Sequence, residues 1–297
     1  MKNKALTITV IANMTANFSE GLGNVSTIQK VFREGKIYGI RSRESLKNAI
    51  MVQSGMYDDL AVTTNGATQK VVSEEKNVSN CRALEGGYMN TSVGEAGNTY
   101  VRNSSFYLTD AISCEPLKTE TRFHTNLYLA KVCAEEKGIN LQNKAGEAGL
   151  MPYNYEYDKS LKIYSLTIDL GMVGKDENFK TEASNEEKAA RVISILDTVK
   201  NLNLLVKGNL DNAEPIFVVG GLSDRMTHIF ENRVRVKDNR LRISNDLKEK
   251  IEEGYYLGLL EGDNLDNELE IINKLHPESV AEVFEKLKSD VKTYYGV

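Results

Sequence analysis

Three strand-length segments, widely separated along the chain, set the architecture. Leu6-Thr-Ile-Thr-Val-Ile-Ala12 alternates Leu6, Ile8 and Val10 with Thr7 and Thr9, the period of two that marks a strand with unlike faces. Ile163-Tyr-Ser-Leu-Thr-Ile-Asp-Leu170 sets Tyr164, Leu166, Ile168 and Leu170 opposite Ile163, Ser165, Thr167 and Asp169. Pro215-Ile-Phe-Val-Val-Gly-Gly221 supplies the last core strand. Two helices fall between them. Ser42 can cap one whose buried side carries Leu46, Ala49 and Ile50. Ser184-Asn-Glu-Glu187 fits a capping box, opening a helix with Val192, Ile195, Leu196 and Val199 at three- and four-residue spacing, and Gly208 is placed to help end it. With a short apolar segment at Ile37–Ile40 and a strand expected over Thr99–Thr109, the core order is strand, helix, strand, strand, helix, strand. That is the split βαβ or ferredoxin-like pattern of the α+β class, which RNA-recognition domains share.

The segments left over read as excursions from this core. Residues 60–100 are rich in small and polar residues, and residues 112–157 hold one helix, around Thr125–Glu136, and a glycine-rich return near Gly146–Pro152. Residues 244–297 form a helical tail, with Leu247, Ile251 and Tyr255 on one face, then Pro277 at a helix start followed by Val280, Val283, Phe284, Leu287 and Val291. No internal repeat is present. The chain therefore reads as one core domain with two protrusions and a tail.

Composition narrows the classes. The 297 residues are 41% hydrophobic and 27% charged, enough to build a sizeable core. No apolar run approaches the roughly 18 residues of a membrane span. The threonine-interrupted start is too short for a signal h-region, and Cys81, Cys114 and Cys133 lie far apart with no C-x-x-C, so neither a disulfide framework nor a zinc knuckle is expected and a cytoplasmic location is. Three histidines and no tryptophan argue against a multi-histidine metal enzyme. The net charge of −5 conceals an asymmetry. Residues 1–57 hold eight basic residues (Lys2, Lys4, Lys30, Arg33, Lys36, Arg41, Arg43, Lys47) against three acidic, a net of +5, and residues 225–242 are +4 where residues 244–297 are −7. Two basic segments on an acidic body suit a phosphate-binding groove, although ordinary solvated faces give the same counts.

Cofactor and catalytic motifs are weak. Gly21-Leu-Gly23 lacks the third glycine of a dinucleotide loop, since position 26 is serine. His124, His228 and His276 are isolated, His276 being placed to cap the helix that Pro277 starts, and no histidine is near Cys114 or Cys133. Asp263-Asn-Leu-Asp-Asn-Glu268 lacks calcium-loop spacing. No metal or cofactor is expected. The central strands also lack the base-stacking aromatic signature of RNA-recognition domains, so any RNA should be gripped through its phosphates by loops.

The stretch Lys36-Ile-Tyr-Gly-Ile-Arg-Ser-Arg-Glu-Ser-Leu-Lys-Asn-Ala-Ile50 resembles the signature of the CRISPR-associated backbone subunits of Cascade-type complexes, in the RAMP superfamily, with Ser42, Ser45, Leu46 and Lys47 at the motif positions. Arg102-Asn-Ser-Ser-Phe-Tyr-Leu-Thr-Asp-Ala111 and Gly208–Gly221 extend the likeness, and the layout is similar to the DevR group of type I-B systems. The resemblance covers roughly residues 4–222. It implies a hand-shaped molecule: an RRM-like palm (1–55, 99–111 and 158–243), a finger-like insertion (56–98), a thumb (112–157) and the acidic helical tail (244–297). It further implies copies stacked along a CRISPR RNA guide, with other Cascade subunits and target DNA as partners and no membrane. Ser42, Arg43, Ser45 and Lys47 would then meet phosphates together with the amides of the helix start, with Lys30, Arg33, Arg41, Arg102, Lys207 and Asn209 extending the track. Two positions depart from the family. Glu44 repels phosphate unless Arg41 or Arg43 pairs with it, and Met51 stands where a further basic residue is common.

Relatives of the type III branch resemble this fold but cut RNA with an aspartate in the loop after the first strand. Residues 13–36 contain none, their only acidic residues being Glu20 and Glu34. The expectation is a non-catalytic, polymerising CRISPR RNA scaffold that supports target DNA recognition, sequence being read by base pairing. The alternatives are an RNA-cleaving RAMP-type endoribonuclease using Glu20 or His124, and a single-strand RNA-binding module that acts alone.

Overall fold

The computed structural model describes residues 4–22, 25–93, 98–118 and 120–297. Lys2 of the basic segment and Gly23 of the Gly21-Leu-Gly23 segment lie outside them, as does the side chain of Glu20. The core is one large sheet. In chain order its strands are β1 (Ala5–Thr15), β2 (Lys30–Arg33), β3 (Lys36–Arg41), β4 (Phe106–Leu108), β5 (Ala111–Ser113), β6 (Lys159–Asp169), β7 (Pro215–Ser223), β8 (Tyr256–Leu259) and β9 (Glu278–Ser279). They lie in the order β9-β8-β7-β1-β6-β5-β3-β2, with β4 also paired to β6. The helices are α1 (Arg43–Gln53), α2 (Leu127–Lys137), α3 (Asn185–Lys200), α4 (Asn245–Glu252), α5 (Glu268–Leu275) and α6 (Val280–Tyr295).

β1 is central because both of its edges are used: Ile8 faces Leu166 of β6 and Gly220 of β7 in antiparallel register. A Cβ on Gly220 would lie 2.2 Å from the Thr7 carbonyl, so this crossing admits only glycine. On one face Leu6, Ile8 and Val10 pack in a cluster with Leu46 and Ile50 of α1, Val192 and Leu196 of α3, and Phe284 and Leu287 of α6. Alternation with threonine predicts a polar second face, yet Thr7 and Thr9 are fully buried. Their hydroxyls bond across strands, Thr7 to Thr167 at 3.1 Å and Thr9 to Ser165 at 2.6 Å, which satisfies groups that burial alone would penalise. A second cluster built from Phe217, Val219, Phe230, Leu247, Leu257 and Ile271 covers that face.

Several expectations change in detail. The strand expected over Thr99–Thr109 breaks in two. Residues Asn98–Arg102 pair with Tyr88–Val93 in the insertion, and only Phe106–Leu108 reaches the core sheet. The Ser104 hydroxyl causes the break, donating to the Phe106 carbonyl (2.6 Å) and accepting from its N–H (3.1 Å). Ser184 caps α3 through the Glu187 N–H, but the Glu187 carboxylate is drawn to Arg82 and Arg191, so half of the expected capping box forms. The complete box is at Ser279 and Glu282, opening α6. Gly208 does not end α3, which stops at Lys200; it turns a hairpin of Asn203–Val206 and Asn209–Asn212. His276 is the C-cap of α5 rather than the N-cap of the next helix, and Tyr255 lies beyond α4, packed on Phe230. The expected tail is built into the palm, because β8 pairs with β7 and α6 packs on α3.

Two excursions leave the palm. One carries the hairpins Val62–Asn65/Ala67–Lys70 and Tyr88–Val93/Asn98–Arg102. The other is a ribbon of Glu120–Thr125 and Pro152–Tyr157 joined through α2, extended by Val25–Ile28 and Phe18–Leu22 into a four-stranded sheet. No helix among the described residues is long and apolar enough to cross a membrane.

Candidate nucleic-acid interface

The start of α1 is fixed by the end of β1. Ser42 sits in extended conformation and its hydroxyl accepts the Ser45 N–H at 3.2 Å, while its own N–H donates to Asn17 Oδ1 at 2.7 Å. The Arg43 N–H donates to Asp110 Oδ1 at 2.8 Å, and the Arg43 guanidinium pairs with Glu44 at 2.8 Å. That pairing is the condition under which Glu44 is tolerable beside a phosphate. The expectation that the helix amides themselves face phosphate narrows, because side chains of Asn17, Asp110 and Ser42 already accept from the N–H groups of Ser42, Arg43 and Ser45.

Positive charge at this site comes instead from side chains. Arg41 is only 5% exposed. Its Nε donates to the Thr15 carbonyl (2.9 Å) and its Nη1 to Ser45 Oγ (2.8 Å), leaving Nη2 buried without a partner. Burial pulls its pKa down to about 10, with Asp211 acting against that shift. Asp211 in turn accepts from the Thr15 N–H at 2.8 Å and lies 3.3 Å from Lys159. The exposed Lys207, at the hairpin turn, sits 5.1 Å over the ring of Phe18, so it stands beside the strand end that holds Asn17. Asn209 pairs with Val206 across the same turn.

Lys47 lies one turn along α1 and differs from Arg43, which is exposed. Its Nζ donates to the Gly86 carbonyl at 2.9 Å and lies 4.9 Å over Phe106. Burial, and then the neighbouring Lys70, lower its pKa to about 8. Met51 is buried in the core. Lys30 is tied to Glu156 of the ribbon at 2.7 Å. Arg33 lines a groove of about 620 Å³ on the other side of the sheet hairpin, together with Arg43, Arg235 and His228 but also Glu34, Asp110 and Glu231. The two basic segments do meet there, with acidic residues balancing them. Arg102 is an interior residue. It donates to the carbonyls of Lys175 and Met172 and lies 3.4 Å from Glu85, which also pairs with the buried Arg191 at 2.9 Å. The structure thus brings Arg41, Ser42, Ser45 and Lys207 to one end of the palm, and places Lys47 at the base of the first excursion.

Residues the sequence reading passed over complete the picture. Asn17, Lys70 and Asp110 reach α1 only through tertiary folding. An aromatic ladder also runs up the ribbon: Phe18 meets Tyr155 edge-on at 5.8 Å, His124 stacks on Tyr153 at 5.5 Å, and Arg122 lies 3.5 Å over Tyr157. Tyr153, Tyr155 and Tyr157 at a spacing of two were the signal for it. His124, one candidate acid–base group, is part of this stack. No cluster of possible metal ligands occurs among the described residues.

An RNA-recognition-like palm with two strand-rich excursions defines a class, the hand-shaped α+β fold. The comparisons carry this to a family. Residues 6–240 match the model of the family described as CRISPR-associated negative auto-regulator DevR/Csa2, and the chain belongs to that family. In fold it is similar to a chain of a "CRISPR RNA-guided surveillance complex, pre-nicking", with a TM-score of 0.61 and 10% identity over 97% of this chain and 100% of that one. A chain of another CRISPR RNA-guided surveillance complex gives a TM-score of 0.54 and 13% identity, covering 98% of each. No curated protein matches the sequence. The expected DevR membership and hand-like α+β fold therefore stand.

Proposed function

We propose that the chain is a non-catalytic, cytoplasmic backbone subunit of a Cascade-type complex, of I-B-like type. It polymerises along a CRISPR RNA and, with the other Cascade subunits, supports recognition of target DNA. The observation that carries this reading is the end of the palm, where Ser42 and Ser45 open α1 over the buried Arg41 guanidinium and the exposed Lys207 stands over Phe18, next to the Asn17 that holds Ser42. Cationic and hydroxyl groups without an organised set of base-edge readers suit phosphates of any sequence. The second excursion supplies the means of stacking. Leu127, Tyr128 and Leu129, the first turn of α2, are 51%, 78% and 67% exposed, an apolar helix start left uncovered by the described residues. A face that meets a different surface on the next copy makes a contact that repeats without closing, which suits growth along a strand.

The test is binding of labelled single-stranded RNA by Lys207→Ala and Lys47→Ala across a salt series. Each variant is expected to weaken all sequences alike and to lower the salt slope by about 0.7. A loss confined to particular bases would count against phosphate gripping.

A further inference from the structure

The pair Lys47 and Lys70 has no role in the scaffold reading beyond Lys47 itself. Lys70 belongs to the first excursion, at the end of its Ala67–Lys70 strand, where its Nζ donates to the carbonyls of Ala83 (2.7 Å) and Gly87 (3.0 Å) and lies 5.5 Å over Tyr57. Lys47 comes from the palm and donates to the carbonyl between them, that of Gly86. The two side chains converge on Gly86: a Cβ there would lie 3.5 Å from Lys47 Cε and 3.6 Å from Lys70 Nζ. Neither ammonium is in an ion pair among the described residues, and each is about half enclosed. An ammonium has three donors, so Lys47 has two left and Lys70 one. Burial lowers both pKa values, and each lysine also feels a neighbouring cation: Lys70 for Lys47, Arg102 for Lys70. Two converging cations, gathered by three carbonyls and in no ion pair, with Glu44 the one carboxylate acting on Lys47 from a distance, make a site short of negative charge.

We propose that Lys47 and Lys70 together hold one phosphodiester of the bound single strand, so that the first excursion and the palm close on the same backbone position. This rests on the RNA-binding reading above. It adds Lys70 as a binding residue from a different part of the chain, and it explains why Lys47 is aimed at the base of the excursion rather than into open solvent beside Arg43.

The experiment measures fluorescence anisotropy of labelled single-stranded RNA with the full chain across a salt series. Lys70→Gln removes the charge while keeping a donor for the carbonyls, and Lys70→Arg keeps the charge; thermal melts check that each is folded. One phosphate contact on a single strand is worth a slope of about 0.7, or about fivefold in affinity at 0.1 M salt relative to 1 M. The expected result is that loss in Lys70→Gln, its recovery in Lys70→Arg, and a double Lys47→Gln/Lys70→Gln loss smaller than the product of the single losses, because both act on one phosphate. RNA binding by the wild type with an unchanged slope in Lys70→Gln would overturn the shared site alone, as would fully multiplicative losses. No RNA binding by the wild type would overturn the RNA-binding reading. Saturable binding of inorganic phosphate, lost in Lys70→Gln while the RNA slope is unchanged, would make the occupant the free anion and also overturn the proposal.

Discussion

Helices α1 and α2 each have eleven residues, and they use them in opposite ways. α1 buries Leu46, Ile50 and Met51 and is capped by the Ser42 hydroxyl. α2 buries only Ala130 and Ala134, has no side-chain cap bond at its start, and leaves Leu127, Tyr128 and Leu129 largely exposed. A helix that buries its large residues is a rigid mount, and its polar start can hold charges in register. A helix that buries alanines and displays its large apolar residues gains little from its own chain. Its apolar area, at about 25 cal/mol per Å², becomes available only on contact with something else. On the proposed reading, the palm positions and the second excursion docks.

That contrast can be broken at either helix. Leu46→Ala, in the core, is expected to cost about 2–5 kcal/mol of stability, whereas Leu129→Ala should stay within about 0.5 kcal/mol, both read from chemical denaturation of the monomer. A comparable loss at Leu129 would mean that α2 is packed in solution. Next in size is the cap: Ser42→Ala is expected to lower stability by about 1 kcal/mol and to loosen Arg41 through its Ser45 partner. The smallest effect is in pH. Lys47 is charged below about 8, so RNA affinity should fall as pH rises through that value, with Lys70 favouring proton loss and Glu44 opposing it. Lys47→Arg should flatten the profile, and a profile unchanged by that substitution would detach the effect from Lys47.

What was legible beforehand follows the same division. β1, β6, β7 and the bodies of α1 and α3 were readable because periodicity and caps are local, and so was the Ser42 start. The burial of Thr7 and Thr9 was not, since it depends on the distant residues 225–275 folding over the second face. Nor was the hairpin at Lys207, where an exposed Leu205 and Leu210 pair across the strands and blur the strand signal. At the site, Ser42, Arg43 and Lys47 were found through a motif, but Asn17, Asp110 and Lys70, which act on them, lie 25, 67 and 23 residues away respectively and only the fold joins them. Arg102 illustrates the converse: a basic residue in a suggestive stretch whose guanidinium is spent on Glu85 and three carbonyls.

The central claim is that this palm grips RNA while its second excursion links copies along it. Native mass spectrometry of the full chain, expressed with a CRISPR array and neighbouring subunits, tests both at once, with Leu129→Glu as the paired variant. The account predicts a particle with several copies on one guide RNA for the wild type, and RNA-bound species of low copy number for the variant. An RNA-free monomer or dimer for the wild type, or full arrays from the variant, would contradict it.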